Sequence, residues 1–187
     1  MRARWAELSL SEHAFYFREY YGRRRALWDG GPPTRLPFLS LDQVTPRRAL
    51  DAGCGVGRDT IALAGKGWDT TGLDLSARAI AQARRRAPGL RFVLGTATAI
   101  GDPPLEGPFD LVLDVFGPAS DLSAPKRALY AERVRRVLSP GGLFAIFSFE
   151  RAEALAPLFA PFAIDRELAA RCPVEPSGRW WLLRQKG

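Results

Sequence analysis

The chain has 187 residues, 47% of them apolar and 25% charged, which predicts one globular domain over residues 1–187. Two cysteines and a single histidine exclude a disulfide-rich scaffold and a multi-histidine metal site, so we expect no metal. The net charge of +7 raises the question of a nucleic-acid partner. All but three of the 27 basic residues are arginine and asparagine is absent, which indicates a thermophilic or compositionally biased source and disfavours nucleic acid.

The first 46 residues are predicted to form a helix and a loop ahead of the core. The N-terminus lacks the apolar stretch of a secretory signal, and no run reaches the roughly 18 apolar residues of a membrane span, so we expect a cytoplasmic protein. Residues 9–25 are predicted to be helical and include the single histidine, His13. Residues 28–33, Trp-Asp-Gly-Gly-Pro-Pro, break regular structure and predict a loop.

From Arg48 onward, short apolar runs alternate with helical segments. Strands are predicted at 48–51, 68–74, 91–95, 109–115 and 143–149, with helices at 58–66, 76–87 and 123–138. This alternation predicts a doubly wound α/β fold with a mostly parallel sheet and right-handed crossovers. After a helix near 151–159, the runs 162–168 and 179–184 have no helix between them. We therefore expect them to pair as an antiparallel hairpin at the sheet edge.

A glycine-rich turn, Asp51-Ala-Gly-Cys-Gly-Val-Gly57, lies between the first predicted strand and helix. Its spacing is G-x-G-x-G, whereas dinucleotide-binding turns have G-x-G-x-x-G. Asp51 and Asp74 end the first two strands, where carboxylates would repel a pyrophosphate, attract a cation and accept hydrogen bonds from ribose hydroxyls. S-adenosylmethionine has a ribose, a sulfonium and an ammonium but no phosphate, and it is the cofactor that this turn predicts.

Four blocks of the sequence, taken in order, resemble the class I S-adenosylmethionine-dependent methyltransferases. They are residues 51–55, 72–76, 109–114 and 138–142. The resemblance implies a Rossmann-like seven-stranded sheet with helices on both faces and the last two strands as the edge hairpin. It also implies that residues 1–46 cover the active site and that residues 47–187 form the cofactor-binding core. Residues 27–33 and 57–59 are similar to the thiopurine, thiol/halide and tellurite-resistance branch of that family.

The resemblance assigns a set of cofactor-binding residues. They are Asp51, Ala52, Gly53, Gly55, Arg58, Asp74, Leu75, Thr96, Ala97 and Asp114. It implies that the glycine turn holds the methionine part, that Asp74 binds the ribose and that Leu75 packs on the adenine. Thr96 stands where many members have an acid that contacts the adenine amine, so that contact is left to backbone groups or to Asp102. Asp114, near the end of the fourth strand, is expected to face cofactor and substrate.

The candidates for catalysis and for substrate binding come from the segments around this core. Trp28, Phe116 and Phe149 could line a small-molecule pocket with apolar faces. The catalytic residue is not determined, and the candidates are Asp114 and His13. No evident general base accompanies the cofactor blocks, so acceptors that ionise by themselves, such as thiols and other soft anions, are favoured.

Two alternatives belong to other functional classes. An RNA or tRNA methyltransferase could use the basic N-terminal surface, and its binding would weaken steeply with salt. A non-catalytic module could keep the fold and the cofactor while serving a partner protein.

Overall fold

The computed structural model of the chain describes residues 47–169 and 178–185. Its elements are β1 (Arg48–Ala52), α1 (Arg58–Ala64), β2 (Asp69–Asp74), α2 (Ala77–Arg86), β3 (Arg91–Leu94), a 3-10 turn (Ala97–Ala99), β4 (Phe109–Val115), α3 (Pro118–Asp121), α4 (Ala124–Val137), β5 (Leu138–Ser148), α5 (Ala152–Phe159), β6 (Phe162–Ala169) and β7 (Arg179–Gln185). The predicted N-terminal helix and loop, with His13 and Trp28, lie outside the described residues. Among the described helices, none is both long and apolar enough to cross a membrane.

The seven strands form one sheet in the order β3-β2-β1-β4-β5-β7-β6. Strands β1 to β5 run parallel, and β7 is antiparallel to both of its neighbours. The prediction of a doubly wound α/β sheet with an edge hairpin is confirmed. Strand β7, the last of the described strands along the chain, lies between β5 and β6, so β6 is the outer edge of the sheet.

The two faces of the sheet are covered by different helices. On one face, Leu50 and Val112 pack in a buried cluster with Tyr130 and Val134 of α4. On the other face, Leu111 and Leu113 of β4 pack with Leu63 of α1. Because β1 and β4 are buried on both sides, their sequences are continuously apolar near the centre of the sheet, apart from the carboxylates near their ends.

The predicted boundaries are accurate to a few residues except at β5. Ser76 caps α2 as predicted, because its hydroxyl accepts a hydrogen bond from Ala79 N at 3.3 Å. Ser123 precedes α4 as predicted, but its side chain makes no capping hydrogen bond. Strand β5 begins at residue 138, ahead of the predicted 143, because Leu138 pairs with Phe109 before an irregularity in the register.

Candidate functional site

A cleft opens at the carboxyl ends of the parallel strands. Its empty volume is about 1060 Å³ counted out to open solvent, and it lies where the connections from β1 and β4 diverge. Most of the cofactor-binding residues predicted from the sequence line it. They are Asp51, Gly53, Gly55, Arg58, Asp74, Leu75, Thr96 and Ala97. The lining also includes Phe116 and Gly117 from the segment after β4.

The Asp74 carboxylate is held in a fixed orientation at the end of β2. Gly55 N donates to its Oδ2 at 2.9 Å, and Ser76 N donates to its Oδ1 at 2.8 Å. The carboxylate is therefore oriented between the glycine turn and the start of α2, and it is part-buried at the cleft. Since a carboxylate oxygen can accept more than one hydrogen bond, this geometry is suited to a ligand diol.

The glycine turn closes against the segment that follows β4. Gly53 has a φ of +82°, and a Cβ added there would lie 2.8 Å from Gly117 Cα. A Cβ on Gly117 would lie 2.5 Å from the carbonyl oxygen of Ala52. The two loops thus meet backbone to backbone. Gly117 was not predicted as a site residue from the sequence, although a Gly-Pro pair one residue after a buried strand indicates a tight turn.

The Asp51 carboxyl is buried under the glycine turn and accepts a hydrogen bond from Thr60 Oγ1 at 2.6 Å. Burial, followed by the negative charge of Asp59, raises the pKa of Asp51 to about 8. The carboxyl is thus largely protonated near neutral pH in the free protein. If Asp51 attracts a cation as predicted, binding of that cation is coupled to release of the proton from the carboxyl group.

The free protein is expected to lose stability as the pH rises from about 5 to 8. The folded-state pKa values of Asp51, about 8, and of buried Asp114, about 7, lie above the ordinary value of 3.8, so the folded chain retains protons that the unfolded chain has released. The loss is at most about 1.4 kcal/mol per pH unit for each retained proton. Urea midpoints at pH 5.5 and 8.5 measure it, and Asp51→Asn should flatten the profile. A midpoint that rises with pH would contradict the assignment.

Asp114 and Ala52 lie beside the cleft but do not line it, which differs from the prediction. Both are fully buried. Asp114 accepts hydrogen bonds from Gly117 N at 3.0 Å, Ala119 N at 2.8 Å and the Tyr130 hydroxyl at 3.0 Å. The reason is that the segment after β4 folds back over Asp114, whose carboxylate accepts hydrogen bonds from that segment and from α3 and α4.

Phe116 has a left-handed backbone conformation at the cleft wall. Its φ is +53°, which costs a non-glycine residue roughly 1–2 kcal/mol. Its N–H donates to Phe147 O at 3.1 Å, and its ring lies 4.7 Å from the ring of Phe147 and 4.6 Å from that of Phe149. Phe149 does not line the cleft itself but stacks behind Phe116. The remaining substrate candidate, Trp28, and the catalytic candidate His13 lie outside the described residues.

At the adenine side of the predicted site, Thr96 and Ala97 follow β3 and line the cleft. The Thr96 hydroxyl lies 2.8 Å from that of Thr98. Asp102, the alternative contact for the adenine amine, does not line the cleft and forms an ion pair with Arg133 at 3.0 Å. Buried Cys54 has a pKa raised well above its usual value by burial, which agrees with a packing role.

The charges of the described lining residues fit the predicted cofactor. Arg58 is the one cation among them, and its Nη2 lies 2.8 Å from Asp59 Oδ2. The acidic lining residues are Asp51, Asp59, Asp74 and Asp121, of which Asp51 is largely protonated near neutral pH in the free protein. This surface would repel a pyrophosphate, whereas a ligand with a sulfonium, an ammonium and a ribose diol matches both the carboxylates and the apolar lining residues such as Leu73 and Leu75. S-adenosylmethionine has these groups.

Comparison with known proteins gives the family. The model of a methyltransferase domain matches residues 49–142. The chain is 34% identical over 128 residues to a demethylmenaquinone methyltransferase of Renibacterium salmoninarum, covering 68% of this chain and 50% of that one. It is 28% identical to probable thiol methyltransferase 2 of Arabidopsis thaliana, covering 82% of this chain and 78% of that one. The chain thus spans about half the length of the demethylmenaquinone relative.

A solved structure with the same architecture is that of the N-methyltransferase NodS from Bradyrhizobium japonicum in complex with S-adenosyl-L-homocysteine. It superposes with a TM-score of 0.77 over 93% of this chain and 98% of that chain. The sequences are 16% identical, so the likeness shows the fold.

Proposed function

Because the chain belongs to the class I S-adenosylmethionine-dependent methyltransferases, we propose that it transfers a methyl group from this cofactor to a small-molecule nucleophile, a thiol first. The observation that carries the proposal is the cleft at the strand ends, where the Asp74 carboxylate is oriented by Gly55 and Ser76. When bound, S-adenosylmethionine supplies an electrophilic methyl carbon and its own leaving group.

In this proposal the chain's residues bind and orient the reactants. Asp74 accepts hydrogen bonds from the ribose hydroxyls, and the turn from Asp51 to Gly57 holds the amino acid part. Leu75, Thr96 and Ala97 surround the adenine, and Arg58 with Asp59 closes the side of the cleft. Excluding water and aligning the nucleophile account for most of the acceleration of such a displacement.

The residue types that line the cleft support a nucleophile that ionises without help. Among the described lining residues there is no histidine, lysine or tyrosine. A thiol has a pKa of about 8.5 and is partly ionised near neutrality, whereas an aliphatic hydroxyl needs a base. The likeness to a probable thiol methyltransferase over most of both chains also supports sulfur as the acceptor atom.

We expect purified protein to form S-adenosylhomocysteine from S-adenosylmethionine when thiols are added. Below the acceptor's pKa, the rate should rise about tenfold per pH unit, because the described lining residues include no histidine, lysine or tyrosine to take up the proton of the thiol. The acceptor panel contains thiols with a range of pKa values, amines, carboxylates and chalcogen anions. It also contains a hydroquinone, which the demethylmenaquinone relative suggests as a second class.

Three controls separate the alternatives. Asp74→Ala protein should give no turnover above background. A pool of RNA transcripts tests the RNA alternative, which requires methylation that weakens steeply as salt increases. Binding of S-adenosylhomocysteine without turnover of any acceptor would contradict the enzyme and favour the non-catalytic module.

A further inference from the structure

Asp114 and Tyr130 form a buried pair next to the segment after β4 that lines the cleft, and the proposed methyl transfer leaves both without a role. Each side chain is fully buried, and the Tyr130 hydroxyl donates to Asp114 Oδ2 at 3.0 Å. Tyr130 belongs to α4, and Asp114 is the penultimate residue of β4. Burying a carboxyl group costs free energy unless hydrogen bonds compensate for it. The groups that donate to Asp114 therefore indicate what the pair stabilises.

The other contacts of Asp114 go to the backbone after β4. Gly117 N donates to Oδ1 at 3.0 Å, and Ala119 N donates to Oδ2 at 2.8 Å. Phe116 lies between Asp114 and Gly117 in the chain, and its own N–H donates to Phe147 O. The peptide groups on both sides of Phe116 are therefore tied down, one to β5 and one to Asp114.

Tying both peptide groups explains why Phe116 keeps an unfavourable conformation. A residue at φ +53° persists only where its surroundings over-determine the backbone. This arrangement requires glycine at position 117, because a Cβ there would lie 3.1 Å from Asp114 Oδ1 and 2.5 Å from Ala52 O. Phe116 lines the cleft in this conformation, and its ring centroid lies 4.6 Å from that of Phe149.

We infer that Asp114 and Tyr130 are positioning residues, which hold Phe116 in its left-handed conformation and so direct its ring toward the acceptor. The inference rests on the proposed function, since it assigns the acceptor to the Phe116 side of the cleft. Neither residue is among those that line the cleft, so we assign neither a direct contact with cofactor or acceptor. The Tyr130 hydroxyl orients the Asp114 carboxylate, and the carboxylate holds the backbone of Gly117 and Ala119. That backbone fixes the conformation of Phe116.

Tyr130→Phe tests this chain of contacts with little other disturbance, because it removes one hydroxyl and keeps the ring that packs 5.7 Å from Phe144. We expect the acceptor KM to rise about fivefold, with kcat and the Kd for S-adenosylhomocysteine within about twofold of the parent. In a Phe116→Ala background the same substitution should leave KM unchanged, because the ring that it positions is gone. An equal rise of KM in both backgrounds would overturn the inference.

Thr60→Val is the matched control. Its hydroxyl donates to Asp51, the buried carboxyl near the end of the neighbouring strand β1, at 2.6 Å. This variant should weaken S-adenosylhomocysteine binding and leave the acceptor KM unchanged, the opposite of Tyr130→Phe. If Tyr130→Phe also weakens S-adenosylhomocysteine binding and spares KM, the pair serves the cofactor and the inference is wrong.

Amide hydrogen exchange, followed by NMR, gives a readout without turnover. In Asp114→Asn, the amides of Gly117 and Ala119 should exchange at least about tenfold faster, since their acceptor is altered, while Gly53 N and Cys54 N, bonded to Leu73 O, should not change. Tyr130→Phe should act in the same direction, more weakly, and is the variant to use if Asp114→Asn does not fold. Unchanged exchange in both variants would overturn the inference. If no acceptor is methylated, the proposed function fails. The exchange pattern then still decides whether Asp114 and Tyr130 hold the segment around Phe116.

Discussion

Replacing Asp74 by alanine is expected to weaken binding of S-adenosylmethionine and S-adenosylhomocysteine at least about 100-fold. A charged carboxylate that accepts two hydrogen bonds from a diol contributes roughly 1.5–3 kcal/mol for each, and the substitution removes both. The substitution also removes the acceptor for Gly55 N and Ser76 N, so the glycine turn and the start of α2 lose their link. Isothermal titration with each ligand measures the change.

Asp69→Ala is the matched control for this substitution. Asp69 begins the same strand that Asp74 ends, and its side chain is 70% exposed beside Arg48. We expect unchanged affinity for both ligands. Asp74→Asn separates the two effects of the alanine variant, because the amide oxygen can still accept one backbone N–H. Tight binding of either ligand by the Asp74→Ala protein would show that the cleft binds them through other groups, and the assignment of the ribose would fall.

A single added methyl group at Gly117 is expected to destabilise the protein by about 2–4 kcal/mol. The Cβ of Gly117→Ala would lie 2.5 Å from the carbonyl oxygen of Ala52 and 3.4 Å from Gly53 Cα. Neither neighbour is a flexible side chain, so the loop after β4 and the glycine turn must move apart. Differential scanning calorimetry should show the Tm falling by roughly 10 °C. Titration at a temperature where the variant is folded should show weaker cofactor binding.

Gly89→Ala shows whether this cost comes from the contact rather than from loss of a glycine. No heavy atom lies within 4 Å of a Cβ at Gly89, which precedes β3. We expect its Tm to stay within about 2 °C of the parent, as for other surface substitutions. Similar losses in the two variants would contradict the close approach of the two loops.

The sheet could be predicted because the features that specify its strands and helices lie in short stretches of the sequence. Strands buried on both faces are continuous apolar runs, and the helices between them fix the parallel direction. The start of β5 could not be predicted in this way. Its first residues are Leu-Ser-Pro-Gly-Gly, which favour a turn, and they join the strand because Leu138 pairs with Phe109, a residue far away in the sequence.

The residues of the candidate site also differ in whether their placement could be predicted from local sequence. The glycine turn and Asp74 follow directly after buried strands, so their place at the cleft could be predicted from their position alone. Asp114 also lies near a strand end, so the same rule places it at the cleft, but it is not among the residues that line the cleft. Its direction depends on Gly117, Ala119 and Tyr130, whose approach is a product of tertiary packing. No periodicity or spacing in the sequence carries that information.

The position of β7 between β5 and β6 has a consequence for how the chain is made. Synthesis proceeds from the N-terminus, so β6 leaves the ribosome before the strand with which it pairs. Until β7 is synthesised, β5 is an edge strand with unpaired backbone groups, and it includes the apolar residues Phe147 and Ile146. The nascent sheet therefore remains incomplete until β7 has been synthesised, because β7 pairs with β5 on one side and with β6 on the other.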